Sequence, residues 1–179
     1  MSEATTKVGG GGTAIRVLGA EDSAELEQVR QFFRNYAGWL GVDLSYQNFD
    51  EEMATLPGRY AAPEGRLFYA VIEGKGAGCV GIRSLAEGVC ELKRLYVDPA
   101  FRGLGVGRDL ALAAIRAARQ IGYRKILLDT LPAMRIAVKL YRELGFDEAP
   151  AYYQTAVEGT QFLAPVSYTH LTLPTSDLV

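Results

Sequence analysis

The chain has 179 residues, of which 49% are hydrophobic and 22% charged, so it is long enough for one domain with a substantial core. Its formal net charge of −2 excludes a general attraction for nucleic acid or for an anionic membrane. No apolar run is long enough to cross a bilayer, and the opening MSEATTKVGGGG lacks the apolar centre of an export signal.

Residues 1–12 are polar and end in four glycines, which predicts a flexible tail. Thr13 to Leu18 reads as a first strand. Asp22-Ser23-Ala24-Glu25 has the form of a helix start, and Leu26, Val29, Phe33, Tyr36 and Leu40 follow at helical spacing. A short helix is expected over Phe49 to Leu56, stopped by Pro57-Gly58, and a loop over Gly58 to Arg66. Three strands come next, Leu67 to Ile72, Cys79 to Leu85 and Val89 to Val97, separated by Gly74-Lys75-Gly76 and Glu87-Gly88.

The third of these strands breaks parity. Cys90 and Leu92 share one face of a regular strand, whereas Leu95 and Val97 share the other. A bulge near Lys93-Arg94 brings all four to one core; burial on both faces is the simpler alternative. Asp98-Pro99 ends the strand, and a glycine-rich turn leads into a helix from about Val106 to Ile121 with Leu110, Ala114, Ala118 and Ile121 on its buried face. Lys125 to Asp129 is a strand, Pro132 to Leu144 a helix closed by Gly145, and Phe146 to Tyr153 an extended segment. Hairpins followed by strand–helix–strand units predict a mixed α/β sheet with helices on its faces. Cys79 and Cys90 lie in apolar strands, too few and too separated for a disulfide scaffold or a metal site, and read as buried hydrophobes suited to a reducing cytoplasm.

Arg102-Gly103-Leu104-Gly105-Val106-Gly107 carries the clearest chemistry. Glycines let successive N–H groups converge, the helix N-terminus adds partial positive charge, and Arg102 and Arg108 add formal charge. These parts suit a pyrophosphate, although a tight packed turn has the same pattern. The turn is not a Walker loop, since no Gly-Lys-Ser/Thr follows, and its spacing departs from the dinucleotide fingerprint.

Leu95-Tyr96-Val97-Asp98-Pro99 through Gly107, together with Leu140-Tyr141-Arg142-Glu143-Leu144-Gly145-Phe146, closely resembles the GNAT superfamily of N-acetyltransferases. That family's turn has the form Arg/Gln-x-x-Gly-x-Gly/Ala, matched by Arg102, Gly105 and Gly107. The resemblance covers residues 13–164 and implies a mixed, mostly antiparallel sheet with a splayed parallel pair and helices on both faces. It also implies transfer of acetyl from acetyl-CoA to a primary amine by direct attack in a ternary complex, without a metal. A non-catalytic acyl-CoA-binding or regulatory module on the same fold is the alternative.

By the same resemblance, the backbone of Leu95, Tyr96 and Val97 pairs with the pantetheine arm. Arg102, Gly103, Leu104, Gly105, Val106, Gly107 and Arg108 take the pyrophosphate. Tyr141 aligns with the tyrosine that acts as general acid in many relatives, though it also extends an apolar helix face. Glu91 matches a position often occupied by a base or a water-positioning Glu; a solvated strand face is its other reading. Cys90 as a nucleophile is disfavoured, because the only histidine is His170. Many relatives carry Asn where this chain has Met134, which leaves open whether Arg135 or Thr130 replaces that cofactor contact.

Tyr36, Trp39, Tyr46, Tyr60, Tyr152 and Tyr153 fall where relatives line the acceptor pocket, or else fill the core. Arg83 and Arg94 either bind a carboxylate or stand as solvated strand charges. The expected acceptor is a small-molecule or peptide amine, the expected compartment the cytoplasm, and pairing of relatives implies a homodimer. From about Val166 the sequence SYTHLTLPTSDLV resembles translated sequencing-adapter sequence, so residues 165–179 read as a non-native tail.

Overall fold

A computed structural model describes residues 6–7, 12–41, 48–155 and 157–166. Tyr46, His170 and the rest of 167–179 lie outside the described residues. Eight strands form one sheet in the order β1-β2-β3-β4-β5-β6-β8-β7. They are β1 (Thr6–Lys7), β2 (Thr13–Val17), β3 (Arg66–Ile72), β4 (Lys75–Ala86), β5 (Val89–Val97), β6 (Lys125–Thr130), β7 (Phe146–Glu148) and β8 (Gln161–Pro165). Among the described strands only β5 and β6 run parallel; every other neighbouring pair is antiparallel. Thr6–Lys7 pairs with Ile15 and Ala14, inside the segment that the sequence gives as a tail.

Helices cover both faces. Helix α3 (Val106–Ile121) and α4 (Arg135–Glu143) pack on one face, where Leu110, Ala114, Ala118 and Tyr141 join Cys90, Leu92 and Ile126 in the larger core. Helix α1 (Ser23–Leu40) and α2 (Phe49–Thr55) cover the other, with Leu26, Val29, Phe32, Phe33 and Met53 against Leu67, Cys79 and Tyr96. Among the described residues no helix is long and apolar enough to cross a membrane.

Three details at the ends of elements differ from the sequence expectation. Asp22 marks the start of α1 but does not cap it: its carboxylate accepts from the Gly19 N–H at 2.8 Å and from Arg16, while Glu25 pairs with Arg16 at 2.8 Å. Helix α4 begins at Arg135 rather than near Pro132, because residues 131–134 form a turn closed by the Met134 N–H on the Leu131 carbonyl. The extended segment after Gly145 keeps strand pairing only to Glu148, and Tyr152 and Tyr153 sit in an irregular loop.

Strand β5 carries the bulge. Cys79 pairs with Tyr96 and Gly81 with Lys93, so Val80 alone faces Arg94 and Leu95. The extra residue reverses parity, and Leu95 and Val97 pack against the same core as Cys90 and Leu92. Arg94 takes up the distortion at φ +62, a left-handed conformation that costs a side-chain-bearing residue about 1–2 kcal/mol. Its guanidinium bonds to Glu52 at 2.9 and 3.4 Å and its position over the Phe49 ring at 5.3 Å offset that cost. The Cys79 thiol, 3.5 Å from the Arg94 carbonyl, donates to the bulged backbone.

Candidate active site

The bulge and the strand order together open a cleft. The β5–β6 ladder stops at Glu91↔Leu127, so the edge of β5 from Leu92 to Val97 has no partner in β6. Beyond Val97, Asp98 accepts from the Ala100 N–H at 2.9 Å and shapes the short turn that delivers Arg102. Arg102 Nε donates to the Val97 carbonyl at 3.1 Å, which folds the guanidinium back beside the strand end.

The glycine turn is open. Gly103 and Gly105 have φ of +83 and +80, and a Cβ built on either meets nothing within 4 Å. The first-turn N–H groups of Val106, Gly107 and Arg108 have no intrahelical acceptor, and none is found elsewhere among the described residues. Arg102, Leu104 and Arg108 are exposed around them. Backbone donors, a helix N-terminus and two cations on an open surface fit the diphosphate of a coenzyme A. At the α4 end, Met134 supplies no polar group; Thr130 is buried, whereas Arg135 is exposed at the first position of the helix.

Tyr141 projects from α4 into the larger core. Its ring packs on Phe146 with centroids 5.8 Å apart, and the residue is 5% exposed. Burial, reinforced by Tyr36 and by Asp129, pushes its pKa well above the ordinary phenol value. Tyr36 belongs to α1 on the other face of the sheet and Asp129 to β6, so charge on both sides of the sheet acts on the phenol. The hydroxyl therefore stays protonated at any working pH.

Glu91, Arg83 and Arg94 are not solvated strand charges, because they are enclosed in a ladder of ion pairs. Arg94 bonds Glu52, Glu52 lies 3.2 Å from Arg83, and Arg83 Nε donates to Glu91 at 3.0 Å. Lys93 then stands 3.7 Å from Glu91 and 3.3 Å from Asp129. The Tyr152 hydroxyl donates to Glu91 and the Tyr153 hydroxyl to Asp129, each at 2.5 Å. Burial opposes ionisation of Asp129, but Lys93, the Tyr153 hydroxyl and Arg94 outweigh it and lower its pKa. Glu52, Lys93 and Asp129 were not singled out by the sequence. Lys93 shares the parity of Glu91, which was the one available signal.

The ladder floors a cavity of about 400 Å³ between α2, β4, β5 and the 152–153 loop. Tyr152, Tyr153, Arg83 and Glu91 line it, as does Arg59 from the short turn Gly58–Tyr60. Tyr60 is buried under that turn at 1% exposure, and Trp39 stands exposed outside the cavity lining. Cys90 is fully buried, and burial, with Glu91 adding to it, pushes its thiol up to about 12. It is not an available thiolate.

An open glycine turn at a helix N-terminus, a strand bulged away from its parallel neighbour and a separate polar cavity make up the site. The sequence profile of the acetyltransferase (GNAT) family matches residues 26–146, and the chain belongs to that family of N-acetyltransferases. It is 34% identical over 141 residues to an uncharacterized N-acetyltransferase of Schizosaccharomyces pombe, covering 78% of this chain and 86% of the relative. A Streptococcus agalactiae acetyltransferase structure superposes with a TM-score of 0.72 at 17% identity, covering 86% of this chain and 98% of that one. The PaiA N-acetyltransferase of Thermoplasma acidophilum, solved in complex with coenzyme A, gives a TM-score of 0.64 at 17% identity, covering 86% and 98%.

Proposed function

We propose that the chain moves the acetyl group of acetyl-CoA onto a primary amine by direct attack in a ternary complex. The observation that carries this reading is the unpaired β5 edge ending beside an open glycine turn. The Thermoplasma relative crystallised with coenzyme A supports the choice of donor. Acetyl-CoA supplies an activated acyl group as a thioester. Leu95, Tyr96 and Val97 hold its arm along the strand, and the Leu95 N–H is the donor for a developing oxyanion. Arg102, Gly103, Leu104, Gly105, Val106, Gly107 and Arg108 hold the diphosphate.

Tyr141 gives its phenolic proton to the departing sulfur, a task suited to a hydroxyl that burial keeps protonated. Glu91 has both oxygens engaged, Oε1 by Arg83 and Oε2 by Tyr152. It therefore accepts the proton of the incoming ammonium through Tyr152: the Tyr152 oxygen takes the amine proton as its own proton passes to Glu91.

Calorimetry with acetyl-CoA on the intact chain and on Gly105→Trp tests the donor site. Binding by the parent chain that the substitution removes, with the fold retained, is the expected result. No binding by a folded parent chain overturns the reading.

A further inference from the structure

Resting on that reading, we infer that the acceptor is an amine that also carries a carboxylate, an amino acid in the broad sense, rather than a polyamine or another polycation. The inference comes from counting donors and acceptors around the 400 Å³ cavity. On the acceptor side, every carboxylate oxygen of Glu52 and Glu91 already takes a bond. Glu52 receives Arg83 and Arg94, and Glu91 receives Arg83 and Tyr152. Both carboxylates are already ion-paired with the protein's own cations, so a second ammonium would compete with buried pairs.

The donor side is different. A guanidinium offers five N–H groups and an ammonium three. Arg83 spends Nε on Glu91 and Nη1 on Glu52, and Lys93 hydrogen-bonds only Asp129. Arg59 has a single bond, from Nη2 to the Ser84 carbonyl at 2.6 Å, and no carboxylate partner. All three line the cavity, so unspent N–H groups converge there from two strands and one turn.

Formal charge does not decide the matter, because Arg59, Arg83 and Lys93 are balanced by Glu51, Glu52 and Glu91. What differs is how the two signs are used. Glu51 and Arg59 are both exposed, but Arg59 is tied through Nη2 to the Ser84 carbonyl, and the two inner carboxylates are consumed within the ladder. A carboxylate entering the cavity meets Arg59, which has no carboxylate partner, and N–H groups of Arg83 and Lys93 that the ladder does not spend. It also needs no rearrangement of the buried pairs, which would leave charge uncompensated. Tyr60, buried next to Arg59, anchors the backbone of the turn.

Steady-state thiol release, run on the intact chain with matched acceptor pairs, tests this. Each pair is an amino acid and its carboxamide, across the twenty protein amino acids, β- and γ-amino acids and dipeptides, with spermidine as the polycation. The expected result is that at least one acid is acetylated, and that kcat/KM falls on the order of 10- to 100-fold on amidation. Arg59→Ala should raise KM for the acid by about 10-fold and leave KM for the amide unchanged, a split that a merely structural change would not produce. Preference for spermidine, equal use of acid and amide, or no acetylated acid at all while acetyl-CoA binds, each overturns the inference alone. Absence of acetyl-CoA binding removes the donor reading instead, and this inference with it.

Discussion

Arg83 and Glu91 are cross-strand partners, 3.0 Å apart, only because the β4–β5 hairpin slips by one residue between Ser84 and Ala86. Without that slip, strict pairing back from Ala86↔Val89 would set Ser84 opposite Glu91 and Arg83 opposite Leu92. The irregularity thus builds the central link of the ladder, and the cavity floor depends on it.

Removing the anion at Glu91 should separate its two duties. In Glu91→Gln, Arg83 and Lys93 lose a buried partner, and stability should fall by about 3–5 kcal/mol. Tyr152→Phe removes one hydrogen bond to Glu91 and should cost only about 1–3 kcal/mol. If the proton leaves through Tyr152, both variants lose roughly 10²–10⁴ in kcat, with acetyl-CoA affinity unchanged. Chemical denaturation and steady-state kinetics on the two proteins measure the two effects. Full kcat in Tyr152→Phe rejects the relay.

The same slip explains what the sequence could and could not disclose. The bulge at Arg94 is legible, because Cys90, Leu92, Leu95 and Val97 break parity within nine residues. Helix α3 is legible from its apolar stripe and from Gly122, which ends it in the left-handed conformation. The links of the ladder through Arg83 and Glu52 are not legible. Arg83 requires knowledge of a second irregularity that leaves no mark on the hydrophobic pattern, and Glu52 arrives from α2, remote in sequence. Arg59 is hidden for a related reason: a turn read as a loop carries no periodicity to aim its side chain.

Acid should unlock the ladder at its Asp129 end. The folded-state pKa of Asp129 is below its ordinary value, so its ionised form stabilises the fold above about pH 4. That contribution declines as pH falls through the lowered pKa, because the unfolded chain binds the proton first. The stability gap between the parent chain and Asp129→Asn should be widest at pH 5–7 and close below about pH 4. Urea denaturation at pH 7, 5 and 3 measures it; a gap that widens on acidification contradicts the assignment.

Native Cys90 should be inert to thiol reagents at pH 8, where a group with a pKa near 12 is almost wholly thiol and is also shielded. Cys79 is buried with its pKa raised, so the folded chain should show negligible background in a thiol-release assay. Cys90→Ala should keep kcat within about 2-fold, since no step uses the sulfur. A loss of roughly 10²-fold or more, in a variant that still binds acetyl-CoA, restores the thiol as a participant.

Tyr141 has the opposite expectation. Its ring fills the α4 face of the core, while Tyr36 and Asp129 act electrostatically on its hydroxyl. Tyr141→Phe keeps the packing against Phe146 and removes only the proton donor. It should therefore leave acetyl-CoA affinity and thermal stability nearly unchanged and lower kcat by roughly 10²–10⁴. Because burial raises the phenol's pKa, its ionisation should impose no loss of rate up to about pH 10, the ordinary phenol value. The decisive comparison is kcat for acceptors of equal reactivity in the two proteins, measured from pH 6 to pH 10. A Phe variant with undiminished kcat would return Tyr141 to a purely packing role and leave the thiolate to be protonated by solvent.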